Sequence, residues 1–207
     1  MRYYINAKII TPDEIIREYN KNKQFYSKGG ITVTGGEPLL QIDFVTELFR
    51  QAKAEGIHTC IDTSGITYNP ENAIYTEKLD ELMEYTDLVM LDIKHISEKK
   101  HTELTGGSNK NVLAFAQYLE EKNIPVWIRH VVVEGYTDSE DDLIKLGEFI
   151  GRLKNLKALD VLPFHNLAEP KYEELGIPYK LKGMKSLSGE RAEKAKSLIL
   201  KGIKNTR

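Results

Sequence analysis

The residues that could do chemistry collect at the ends of short apolar runs. Gly35, Gly36 and Glu37 follow the run Ile31–Thr34, inside the stretch GGITVTGGEPLL at 29–40. Asp62 follows His58–Ile61, Asp92 and Lys94 follow Leu88–Leu91, and His165 follows Ala158–Leu162. Arg129 lies within the otherwise apolar run Val126–Val133. A glycine pair lets backbone approach a ligand without a Cβ in the way. A helix start beyond it offers unpaired N–H groups. The Glu37 carboxylate could accept hydrogen bonds from an ammonium group, while Lys94 and Arg129 could take a carboxylate. Together these groups suit a zwitterionic ligand. Asp62 and Asp92 are hard oxygen donors that could hold a cation. Each residue also has a structural alternative. Asp62-Thr63-Ser64-Gly65 could be a turn, Asp92 a helix cap, Lys94 a solvated lysine, Arg129 an ion-pair partner of Asp92, and His165 a loop histidine.

Several chemistries are excluded by pattern. There is no nucleophile elbow, no GxGxxG fingerprint and no Walker motif. Lys94 as a Schiff-base lysine in a small barrel lyase is one further alternative. With 207 residues, 41% hydrophobic and 29% charged, the chain reads as one ordinary domain spanning 1–207. A net charge of −2 gives no electrostatic reason to expect nucleic acid. No apolar run is long enough for a membrane span, and MRYYINAKII lacks the features of a signal peptide. The cytoplasm is the default location. The single cysteine, Cys60, excludes an intramolecular disulfide and a cysteine-rich metal cage built by this chain alone.

The elements that must position these residues alternate regularly. Thr11-Pro12-Asp13-Glu14 predicts a capped helix start carrying Ile15, Ile16 and Tyr19 inward. Strand Ile31–Thr34 leads to a helix with Val45, Leu48, Phe49 and Ala52 at 3.6-residue spacing, closed by Gly56. Strand His58–Ile61 precedes a helix near Glu77–Tyr85, and strand Leu88–Leu91 a helix near Asn109–Glu121. Strand Val126–Val133 precedes a helix over Asp138–Leu153, and strand Ala158–Leu162 a long loop and a helix near Gly189–Leu200. One helix followed by five strand–helix units predicts a parallel α/β sheet, either doubly wound or a barrel or part-barrel. In both, the C-terminal strand edge is the functional face.

Five segments carry a family likeness. TGGEPLLQ (34–41), CIDTSG (60–65), DLVMLDIK (87–94), VWIRHVVVEGYTD (126–138) and LPFH (162–165) closely resemble the pyruvate formate-lyase activating enzymes of the radical S-adenosylmethionine superfamily. YEELGIPY (172–179) supports the same assignment. The likeness runs from Thr11 to the final helix. It implies a partial (β/α) barrel, with five of the usual six strand–helix units present. It also implies S-adenosylmethionine contacts at Gly35, Gly36, Glu37, Asp92, Ile93, Lys94, Arg129 and His165. Asp62, Thr63, Met90 and Asp92 match a monovalent-cation site beside the cofactor. Family members cleave S-adenosylmethionine reductively at a 4Fe–4S cluster, and the resulting radical takes hydrogen from a glycine of pyruvate formate-lyase or a related glycyl-radical enzyme. Flavodoxin or ferredoxin is the electron donor in the family.

One departure shapes the expectations. The family's leading strand and CxxxCxxC loop are not found ahead of Thr11, and Cys60 matches no cluster position. The chain therefore reads as N-terminally truncated relative to the family, with no cluster and little radical chemistry expected of it alone. A non-catalytic module that binds S-adenosylmethionine or the partner is the second reading. A missing strand would leave Ile31–Thr34 as a sheet edge. That edge is expected to be paired with another chain, covered by Met1–Ile10, or frayed.

Overall fold

The structure is a computed structural model that describes residues 9–26 and 29–206. It begins with α1 (Pro12–Lys21), whose start carries the expected capping box. The Thr11 hydroxyl accepts the Glu14 N–H at 3.3 Å, and the Glu14 carboxylate accepts the Thr11 N–H at 2.8 Å. Ile16 is buried, and Ile15 and Tyr19 pack on the core beside it.

Five parallel strands follow: β1 (Gly30–Val33), β2 (His58–Thr63), β3 (Leu88–Asp92), β4 (Val126–Val132) and β5 (Leu156–Pro163). They form one open sheet in the order β1-β2-β3-β4-β5. Each strand therefore pairs with its neighbour in the chain. A doubly wound sheet reverses its direction of growth partway. This one never does. Right-handed crossovers that always step the same way place the connecting helices on one face, which is the winding of a barrel. The part-barrel is thus the architecture, and the doubly wound alternative falls away.

The outer face carries α2 (Ile42–Ala54), α3 (Ala73–Glu84), α5 (Lys110–Glu121), α6 (Glu140–Ile150) and α8 (Gly189–Lys204). Alternate strand residues Ile61, Leu91, Ile128 and Val161 join one core with Phe49, Leu82, Phe115, Leu146 and Ile199. Gly56, at φ +70, ends α2 as expected. Its N–H donates to Lys53 O, and the Ile57 N–H donates to Ala52 O at 2.9 Å. The tightest packing joins α6 to α8, where Gly147 and Gly202 let backbone meet backbone.

The differences from expectation have local causes. A 3₁₀ turn, Pro38–Gln41, separates the glycine pair from α2. Two short helices were not expected: α4 (Glu98–Thr105), between β3 and α5, and α7 (Glu169–Glu174), within the long loop expected after β5. Among α4 residues only His101 is buried, and among α7 residues none is, so neither shows an apolar stripe. Strand β1 is four residues long and pairs with β2 alone among the described residues. Of the segment expected to cover its free edge, Ile9 and Ile10 are exposed, and the rest lies outside the described residues. No helix among the described residues is long and apolar enough to cross a membrane.

Candidate functional site

Strand alternation turns a second set of residues to the concave face: Cys60, Asp62, Met90, Asp92, Trp127 and Arg129. Register sets Asp62 beside Met90, Met90 beside Trp127, and Asp92 beside Arg129. The Arg129 guanidinium reaches over β3. Its terminal nitrogens donate to the two Asp62 oxygens at 2.5 and 2.9 Å, and its Nε donates to Asp92 at 2.9 Å. Lys94 donates to the other Asp92 oxygen at 2.7 Å. The Thr34 hydroxyl donates to Asp62 at 3.0 Å. Two carboxylates and two cations thus form a connected ladder across β2, β3 and β4.

The ladder is largely shielded, with side-chain exposures of 13% for Asp62, 16% for Asp92 and 22% for Arg129. Burial pushes the Asp92 carboxyl up, but Arg129 and Lys94 outweigh it and hold Asp92 below the usual carboxylate range. Burial opposes the charge on Arg129, and the two aspartates override it and raise its pKa further. The reading of Arg129 as an ion-pair partner of Asp92 is therefore correct, and Asp62 is its second partner. Lys94 is ion-paired rather than simply solvated. A Schiff-base role would require an amine free to attack a carbonyl, whereas Lys94 is tied to Asp92 at 2.7 Å.

Glu37 is placed by a second network. Its carboxylate accepts from the Thr63 hydroxyl at 2.5 Å, the Ser64 hydroxyl at 2.6 Å, the Ser64 N–H at 3.1 Å and the Leu39 N–H at 3.2 Å. Those four donors fill the acceptor positions expected to face an ammonium group. Gly35 and Gly36 have φ of +88 and +51, and a Cβ built on either would meet nothing within 4 Å. Open space therefore lies against this backbone. Thr63 turns its hydroxyl to Glu37 and also accepts the Gly65 N–H at 2.9 Å. It is not aimed at the carboxylate pair. The turn reading holds for Thr63–Gly65, through the bond from the Gly65 N–H to the Thr63 hydroxyl, while Asp62 lies within β2.

Lys94 also lines a cavity of about 720 Å³ with Val131, Phe164, His165, Thr105 and Tyr179. His165 is exposed on its wall, and the Tyr172 and Tyr179 rings meet with centroids 4.6 Å apart. The cavity and the ladder adjoin at Lys94. The glycine pair lies toward the β1 side and His165 beyond β5, so the expected contacts span the sheet. Ile93 is fully buried. Its N–H donates to Arg129 O, and its carbonyl bonds the His130 ring. Ser64 and Thr34 carry parts of these networks that their residue types alone did not reveal. Their positions at strand ends were the available signal.

Cys60 is buried, and burial raises its thiol pKa. No group of three or more His, Cys, Asp or Glu residues suited to a metal ion occurs among the described residues.

A profile of the radical SAM superfamily matches residues 2–147. The pyruvate formate-lyase-activating enzyme of Staphylococcus epidermidis is 47% identical over 191 residues, covering 91% of this chain and 76% of that protein. The enzyme of the same name from Streptococcus mutans is 48% identical over 190 residues, covering 91% and 72%. Among solved structures, a domain of a pyruvate-formate lyase-activating enzyme from Bacteroides vulgatus superposes with TM-score 0.66 at 23% identity, covering 84% of this chain and 94% of that one. Streptococcus suis SuiB bound to S-adenosylmethionine superposes at 0.56 with 20% identity, covering 84% and 39%. The two solved structures speak to the fold, a shared part-barrel. On the sequence matches, the chain belongs to the radical SAM superfamily and, within it, to the family of pyruvate formate-lyase-activating enzymes.

Proposed function

We propose that this chain binds S-adenosylmethionine along the C-terminal edge of its sheet and serves the activation of pyruvate formate-lyase. Family membership implies S-adenosylmethionine and a 4Fe–4S cluster as cofactors. The observation that carries the reading is a ladder of paired opposite charges beside a two-glycine loop with open space against its backbone.

The residues fit the cofactor's amino-acid end. Backbone at Gly35 and Gly36 would take its ammonium, where a Cβ would obstruct the approach. Arg129 and Lys94 would take its carboxylate, at the cost of loosening their bonds to Asp62 and Asp92. Asp92 and His165 would face the nucleoside, with the cavity beyond Lys94 giving it room, while Ile93, buried with both backbone groups bonded internally, would support them from behind. A monovalent cation would draw on Asp62, Met90 and Asp92, whereas the Thr63 hydroxyl is turned away to Glu37. The cation would have to compete with Arg129 and Lys94 for both carboxylates. Cleaved by one electron from a reduced cluster, with methionine leaving, S-adenosylmethionine would supply the hydrogen-abstracting chemistry of the family, while the residues here would bind and orient it.

The cluster does not fit this chain's residues. Cys60 is the one thiol, and it is buried on β2 with its pKa raised. The work assigned to these residues is therefore to bind and orient S-adenosylmethionine and to shield it from water. We further propose one domain over 1–207, a cytoplasmic location, flavodoxin or ferredoxin as electron donor, and no nucleic-acid partner.

The lone buried thiol favours one second reading, a module that binds cofactor or partner without chemistry. Electron paramagnetic resonance separates the two. The chain, after iron–sulfur reconstitution, is mixed with reductant, S-adenosylmethionine and pyruvate formate-lyase. A glycyl radical on the lyase establishes the activase. Cofactor binding without a radical establishes the module. Failure to bind both S-adenosylmethionine and the lyase, read by titration calorimetry, removes both readings.

A further inference from the structure

We infer that Glu37 is a positioning residue, fastening the glycine loop after β1 to the end of β2, and that it does not itself touch the ligand. This rests on the reading of the Gly35–Gly36 backbone as the ammonium-binding segment. A carboxylate has about four acceptor positions, and Glu37 fills four with Thr63 Oγ1, Ser64 Oγ, Ser64 N–H and Leu39 N–H. Three of these donors belong to the β2 end and one to the 3₁₀ turn leading into α2. The carboxylate is thus the shared acceptor of two segments that meet beside the glycine pair.

The loop needs such an anchor. Two consecutive glycines at positive φ have the largest backbone freedom to lose, and nothing packs within 4 Å of where their Cβ atoms would be. An all-acceptor side chain suits this junction. A glutamine would turn an NH₂ toward donors on one side, so Glu37→Gln removes acceptors without changing shape. A lone acidic contact to an ammonium group would not require Ser64. A clamp does, because the Ser64 hydroxyl supplies one of the shortest of the four bonds.

The test compares wild type, Glu37→Gln, Ser64→Ala and the double variant in the full chain. Titration calorimetry reads S-adenosylmethionine affinity, thermal unfolding reads global stability, and hydrogen exchange reads the amides of residues 35–40. The clamp predicts that Glu37→Gln weakens binding about tenfold and Ser64→Ala severalfold. It predicts that the double variant is no weaker than Glu37→Gln, since both changes break one unit. Amide exchange at 35–40 should quicken in every variant while the unfolding midpoint stays within a few degrees. Normal affinity in Ser64→Ala with a loss confined to Glu37→Gln would overturn the clamp and make Glu37 a ligand contact. If wild type binds no S-adenosylmethionine, the functional reading fails by itself. Exchange then decides the clamp: quickened amides at 35–40 in both single variants support it, and unchanged amides overturn it.

Discussion

Arg129 on β4 holds both oxygens of Asp62 on β2, at 2.5 and 2.9 Å, although β3 lies between their strands. The guanidinium plane spans that distance and still gives its Nε to Asp92 on β3. Only a forked, permanently charged side chain can serve two carboxylates this way. The pairing ties three strands together on the face that the helices leave open.

Removing that side chain should unbalance the ladder. Arg129→Ala leaves two shielded carboxylates near one another with Lys94 as the remaining cation. The expected loss is about 2–3 kcal/mol at neutral pH, because an unpaired buried charge costs more than a pair contributes. Arg129→Lys should recover only part of it, having no fork. Denaturant unfolding of the three proteins measures this. Equal stability in all three would mean that the ladder holds nothing together.

The same ladder sets an acid response. Asp92 titrates below its ordinary value in the folded chain. Its contribution is therefore complete above the unfolded value near pH 4 and is lost as pH falls through the lower folded value. The stability gap between wild type and Arg129→Ala should shrink below about pH 4. A gap that stayed constant from pH 7 to pH 3 would show that Asp92 is not held in this way.

Two buried imidazoles act at milder pH. His95 and His130 are each 2% exposed, each leaves Nε2 without a hydrogen-bond partner, and burial lowers the pKa of both. Asp142 lies 3.8 Å from His95 and favours its charged form, but burial outweighs it. Their neutral forms support the fold fully above the unfolded value near pH 6.5, and stability falls below it as the unfolded chain takes up protons. The slope approaches about 1.4 kcal/mol per pH unit for each such histidine. Unfolding at pH 7.5 and pH 5.0 should show the loss, and His130→Asn should reduce it. An identical slope in the variant would exonerate His130.

The α6–α8 contact gives a purely steric prediction. A Cβ on Gly147 would overlap the Ile199 carbonyl, and one on Gly202 would overlap the Ile144 carbonyl. Alanine at either position should cost about 1–3 kcal/mol as the helices part. Gly183→Ala is the control, since its Cβ meets open space and it bears only the left-handed backbone cost of about 1 kcal/mol. A control that destabilised as much as Gly147→Ala would remove the packing argument.

Legibility followed physical type. Val45, Leu48, Phe49 and Ala52 declared α2 because an apolar stripe has a helical period, and all four are buried. The Thr11–Glu14 capping box was visible because it is local chemistry at fixed spacing. Strand ends located Asp62, Asp92 and Lys94. The bonds among them were less visible, because register between strands is a long-range property. Arg129 could be paired with Asp92 by guesswork, but its hold on Asp62 required the sheet order. Glu37 was readable as an acid in a turn, and its four donors come mostly from residues 26 or 27 positions away. Helices α4 and α7 escaped notice because they bury almost nothing.

The central claim is that the open glycine backbone and the charge ladder hold S-adenosylmethionine. Titration calorimetry on wild type and Gly36→Ala tests it most directly. Gly36 sits at φ +51 with free space where a Cβ would go, so alanine should cost the fold only about 1 kcal/mol. The account predicts one-to-one binding in wild type and a loss of at least about tenfold in Gly36→Ala, with the variant still folded. Equal affinity in the two proteins, or no binding by wild type, would contradict it.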